Sequence, residues 1–147
     1  MTLVLIAKFL SCLFHHNNLV CISLIQTHTL MAIHFFSEGI VFKPKNIRAL
    51  KNWIKQVIQK EQNSLGELNF IFCDDTYLHN INVAYLQHDT YTDIITFDNA
   101  DQEGKIEGDI FISVERVREN SQKLSVSFEQ ELHRVMIHGV LHLLVYK

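Results

Sequence analysis

The chain has 147 residues, 48% of them hydrophobic, with one proline and five glycines; it is long enough to bury one core, and its composition is not that of a disordered or low-complexity protein. A formal net charge of −3 gives no global signature of nucleic-acid binding, so any such role needs a local basic patch. Cys12, Cys21 and Cys73 show no paired spacing, which suits a reducing cytoplasm better than a disulfide framework.

Residues 1–30 read as foreign to the rest. Thr2 to Phe14 and Leu19 to Ile25 are apolar runs, split by His15, His16, Asn17 and Asn18. Neither run approaches the ~20 residues that a membrane-spanning helix needs. No basic start and no small-residue cleavage site mark a signal peptide. The segment is expected to stem from an upstream start, to lie outside the fold and to have no membrane partner; a membrane-interacting segment is the alternative. Met31 opens directly onto Ala32-Ile-His-Phe-Phe36, a first strand, so a single domain is expected over 31–147.

Pro44 to Lys60 reads as a helix with the proline in its first turn. Ile47, Leu50, Ile54, Val57 and Ile58 make one apolar stripe, and Arg48, Lys51 and Lys55 line a neighbouring face. No acid stands between Lys43 and Lys60. Such a charge run is either an ordinary solvated face or a strip that contacts phosphates. Leu68 to Cys73 is a strand that ends at Asp74-Asp75, a helix cap. Thr76 to Tyr85 reads as a short helix, Leu86 to Thr90 as a polar loop and Tyr91 to Phe97 as a strand. A turn at Asn99 to Gly104 is too short for a crossover, so the next strand, Ile106 to Ser113, is expected to run antiparallel to its predecessor. Val114 to Lys123 forms a further short helix, and Ser127 with Gln130 makes a capping box for the last one. The order β-α-β-α-β-β-α-α specifies an α/β (α+β) domain with a small mixed sheet flanked by helices.

The last helix carries the chemistry. Leu132, Val135, Met136, Val140, Leu143 and Leu144 recur at helical spacing. His138 and His142 stand four apart, so their rings leave one face and can reach a single ion. Neutral imidazole suits Zn²⁺ and other borderline metals. The competing reading is a packed helix whose histidines are satisfied by hydrogen bonds. Gly139 favours the metal: a helical glycine costs about 1 kcal/mol against alanine, so its place needs a reason, such as close backbone approach beside the ligands. Gly139 also excludes the metalloprotease pattern, which puts a glutamate directly after the first histidine. His133 lies about 140° round the helix from His138, so it is a poor third ligand and is expected to pack nearby.

His138-Gly-Val-Leu-His142-Leu-Leu-x-Tyr146 resembles the metal motif of the YbeY family. Thr92-Asp-Ile-Ile-Thr-Phe97, Glu107-Gly-Asp-Ile-Phe-Ile-Ser113 and His133 agree with it, and the resemblance runs from Met31 to Lys147. It implies a single-domain, zinc-dependent endoribonuclease of ribosomal RNA maturation and ribosome quality control. Its implied partners are ribosomal RNA and the small ribosomal subunit, in the cytoplasm. Only His138 and His142 match the implied ligands; the third is expected beyond Lys147, after a glycine where this chain has Val145. The expectation is one zinc ion held weakly, with little cleavage. Many family members place an RNA-contacting arginine where Leu86 stands, so His88 or a basic residue elsewhere would have to substitute. The resemblance tips Arg48, Lys51 and Lys55 toward RNA binding. No general base is assigned; Asp89, Asp93, Glu107 and Asp109 are the candidates, with Asp93 and Asp109 equally suited to capping turns. Three classes of function stand: the nuclease, a non-catalytic RNA- or ribosome-binding assembly factor, and a protein whose histidines are structural.

Overall fold

The computed structural model describes residues 32–144, so the expectations for residues 1–30 and for Val145 lie outside it. Four strands, β1 (Ala32–Ser37), β2 (Ser64–Cys73), β3 (Ile94–Asp98) and β4 (Lys105–Ser113), form one mixed sheet in the order β1-β2-β4-β3. β1 and β4 run parallel to β2, whereas β3 is antiparallel to β4, as its short connection demands. Four helices complete the fold: α1 (Ile47–Lys60), α2 (Asp75–Ile81), α3 (Val114–Lys123) and α4 (Phe128–Leu143). None of the described helices is long and apolar enough to cross a membrane.

The central strand explains the layering. Leu68, Phe70 and Phe72 of β2 point to one face and pack with Leu50, Ile54 and Ile58 of α1, Val117 of α3, and Leu132, Val135, Met136 and Val140 of α4. Cys73 points to the other face, where Leu78 of α2 and Ile95 of β3 close a second, smaller cluster. A strand covered on both sides reads as a continuous apolar run, which is why Phe70 to Cys73 shows no alternation. Each large apolar side chain buried in this way contributes about 1.5–3 kcal/mol before the entropy of ordering is subtracted.

Several boundaries differ from expectation; β2 starts at Ser64 rather than Leu68. Pro44 is buried ahead of α1 rather than in its first turn, because Asn46 takes a left-handed conformation (φ 51°) that breaks the helix before Ile47. Asparagine is among the few residues that accept this conformation. β3 starts at Ile94 rather than Tyr91. Before it, the loop is tied by the Asn82 side-chain amide, which donates to the Thr90 carbonyl at 2.7 Å. Finally, α2 widens at its end into a π-helical turn, Asn82–Leu86, so Leu86 belongs to a helical turn and not to a polar loop.

Candidate metal centre

α4 is anchored at its start and pressed onto the sheet at its end. The Ser127 hydroxyl accepts from the Gln130 amide at 3.2 Å, and the Gln130 side chain accepts from the Ser127 amide at 2.9 Å, which is the expected capping box. Further along, a Cβ on Gly139 would stand 2.6 Å from Ile94 Cδ1 and 2.9 Å from Ile110 Cγ2. Glycine therefore lets the helix settle onto β3 and β4 between its two histidines, against isoleucine side chains rather than another backbone.

That placement sets His138 and His142 side by side with their Nε2 atoms 3.0 Å apart. The rings are tilted 68° to each other, with centroids 4.3 Å apart. Two nitrogens bound to one tetrahedral zinc at ~2.0 Å stand about 3.3 Å from each other, so the pair needs only a small adjustment to share an ion. His138 has its proton affinity held below the ordinary value, first by burial, then by His142 and Arg134, against the opposing pull of Asp93. A depressed proton affinity favours the neutral ring that a metal requires. The two histidines thus fit zinc as a pair of ligands. Among the described residues no group of three or more His, Cys, Asp or Glu side chains could hold a metal.

Beside His142 a cleft of about 310 Å³ opens along β3, with Asn82, Leu86, His88, Thr90 and Thr96 among its walls. No lysine, arginine, aspartate or glutamate lines it. Leu86 and His88 are thus brought to the site, and neither supplies a permanent cation.

Other expected residues lie elsewhere. His133 is exposed, its ring centroid 5.8 Å from that of Trp53 on α1, in keeping with a packing role. Arg48, Lys51 and Lys55 follow α1; the Lys51 ammonium stands 5.6 Å over the Phe35 ring of β1, at the opposite sheet edge from β3. The candidate bases have partners of their own. Asp89 meets His79 at 2.9 Å and Glu107 meets Lys105 at 2.5 Å. Asp109 accepts from the amides of Asn69 at 2.9 Å and Asn99 at 3.0 Å. Asp93 stands 3.5 Å from Arg134, and its backbone carbonyl accepts from the Ser113 amide at 3.0 Å.

The sequence reading passed over Arg134 and Glu131. Glu131 is fully buried and receives both Nε (2.8 Å) and Nη2 (2.7 Å) of the Arg134 guanidinium. The available signal was the spacing of Arg134, His138 and His142, three residues four apart that share one helix face.

The family model described as Endoribonuclease YbeY matches residues 39–147. A protein of Amoebophilus asiaticus named Endoribonuclease YbeY is 54% identical over 114 residues, covering 78% of each chain. A Cytophaga hutchinsonii protein of the same name is 49% identical over 115 residues, covering 78% of this chain and 80% of its own. The solution structure of a Thermotoga maritima protein, 28% identical, superposes with a TM-score of 0.55 over 76% of this chain and 71% of its own.

Proposed function

As a chain that belongs to the YbeY endoribonuclease family, this protein is, we propose, a zinc-dependent endoribonuclease that cuts single-stranded RNA during maturation and quality control of the small ribosomal subunit. The observation that carries the reading is the His138–His142 pair, its Nε2 atoms 3.0 Å apart beside an open cleft. His138 and His142 would hold one zinc ion. Zinc, when bound, supplies a Lewis acid that makes water nucleophilic near neutral pH. The chain's own part is to hold the two imidazoles convergent, with the proton affinity of His138 lowered first by burial. Gly139 supports that convergence by letting α4 rest on Ile94 and Ile110, beside the cleft that runs along β3. The setting would be the cytoplasm, with ribosomal RNA and the small subunit as partners.

The test is cleavage of a structured ribosomal RNA by the purified chain with zinc added or chelated. Cleavage that stops on chelation, and in His138→Ala and His142→Ala, is expected. Cleavage indifferent to the chelator and to both variants would overturn the zinc reading. The count of two ligands among the described residues favours a second reading, a non-catalytic RNA- or ribosome-binding assembly factor. It predicts RNA binding without cleavage in the same assay.

A further inference from the structure

A phosphodiester is an anion, and one seated beside His138 and His142 needs positive charge within reach. The cleft walls carry no lysine or arginine, and the α1 strip stands over β1 at the far edge of the sheet. Among the described residues, Arg134 offers a permanent cation close by. Arg134 lies one helical turn before His138 on the same face, and its charge is felt at that ring.

Its surroundings fix it in place. Glu131, 1% exposed, takes the Nε and Nη2 edge of the guanidinium in a two-pronged contact at 2.8 and 2.7 Å. Asp93 stands 3.5 Å from Nη2. The arginine side chain is 50% exposed while its main partner is sealed in the core, so the pair turns its cationic end toward solvent. Nη1 enters none of these contacts and keeps both of its donors. A planar guanidinium pinned along one edge and open at the other is a geometry suited to phosphate oxygens.

We propose that Arg134 is a substrate-positioning residue, whose free Nη1 end holds a phosphate oxygen of the RNA backbone next to the histidine pair. This rests on the endoribonuclease reading above, and the experiment separates the two. Binding of a fluorescein-labelled oligouridylate is followed by fluorescence anisotropy across a salt titration, for the natural chain, Arg134→Gln and Arg134→Lys. Losing one phosphate contact on a single strand should lower the slope of log K against log salt by about 0.7. Arg134→Gln should show that drop together with about tenfold weaker binding at low salt, and Arg134→Lys should recover most of the slope. In cleavage assays the glutamine variant should raise KM more than it lowers kcat. If removing Arg134 leaves Glu131 unpaired and the chain unfolds, the double variant Glu131→Gln with Arg134→Gln removes the stranded charge and is read in the same way. A natural chain that binds with a salt-dependent slope, and an Arg134→Gln chain with the same slope and affinity, would reduce Arg134 to a structural clamp. A natural chain that binds no RNA would overturn the function and this assignment together.

Discussion

At the scale of single residues, Cys73 shows how burial overrides intrinsic chemistry. It is fully buried at the end of β2, and its thiol is pushed up from 9.0 to about 12, first by burial and then by the carboxylates of Asp74, Asp75 and Glu38. A thiol with so high a pKa holds almost no thiolate near pH 8, and only the thiolate reacts. Iodoacetamide should therefore leave Cys73 unmodified in the folded chain and label it in urea, as read by peptide mass spectrometry. Labelling in the folded state would mean that the β2 end opens. The same shift has a sign for stability. The folded chain keeps a proton that the unfolded chain loses above pH 9.0, so this contribution is intact below 9.0 and disappears as pH climbs through about 12. The urea midpoint should fall over that window, and Cys73→Ser should shrink the fall.

At the scale of elements, two glycines set how tightly α4, β3 and β4 meet, and they should respond differently to alanine. A Cβ on Gly108 would stand 2.3 Å from the Phe97 carbonyl oxygen, a backbone atom that moves only if the β3–β4 pairing is broken. The atoms nearest a Cβ on Gly139 belong to the side chains of Ile94 and Ile110, and alanine there regains about 1 kcal/mol of helix propensity. Overpacking typically costs about 1–3 kcal/mol. Gly108→Ala should therefore reach or exceed the top of that range, while Gly139→Ala should cost less, measured by urea denaturation; the reverse order would contradict the packing described for α4. The α1 helix carries a separate expectation. Replacing Arg48, Lys51 and Lys55 with glutamine should flatten the salt dependence of RNA binding while the melting temperature holds, since these side chains lie outside the core cluster. An unchanged salt slope would leave the strip as a solvated face.

At the scale of the whole molecule, a ligand that binds only the folded chain raises its melting temperature. At a hundredfold excess over Kd the gain is about 2.7 kcal/mol, several degrees for a domain of this size. Zinc should produce such a rise in the natural chain and none in His138→Ala or His142→Ala, by differential scanning fluorimetry. An equal rise in the variants would place the metal elsewhere. Much of this organisation was legible in the sequence, because periodicity reports which face of an element is buried. The stripe of α1 and the shared face of the histidine pair follow from it, while the caps at Asp74 and Ser127 follow from residue type and the β3–β4 hairpin from its short connection. Periodicity does not report which elements are neighbours. That β4 lies between β2 and β3 depends on contacts far apart in the chain, as does the cleft between Asn82 and His142. The π-helical turn at Asn82–Leu86 was hidden for another reason, since its residues read equally well as helix or loop. Arg134 drew no reading because nothing in the sequence marks Glu131 as its buried partner. The strand order also governs when the molecule can form during synthesis. β2 finds its partner β4 some forty residues later, as in the pairing of Asn69 with Asp109, and β3 emerges before the one strand it joins. Neither pairing can close before Ser113 has left the ribosome. The histidines come later still, on a helix with no finished sheet to rest against until then. Early in translation the chain can offer a metal only scattered side chains, so the site should arise last, and a pause after β3 would leave a long-lived unpaired strand open to aggregation.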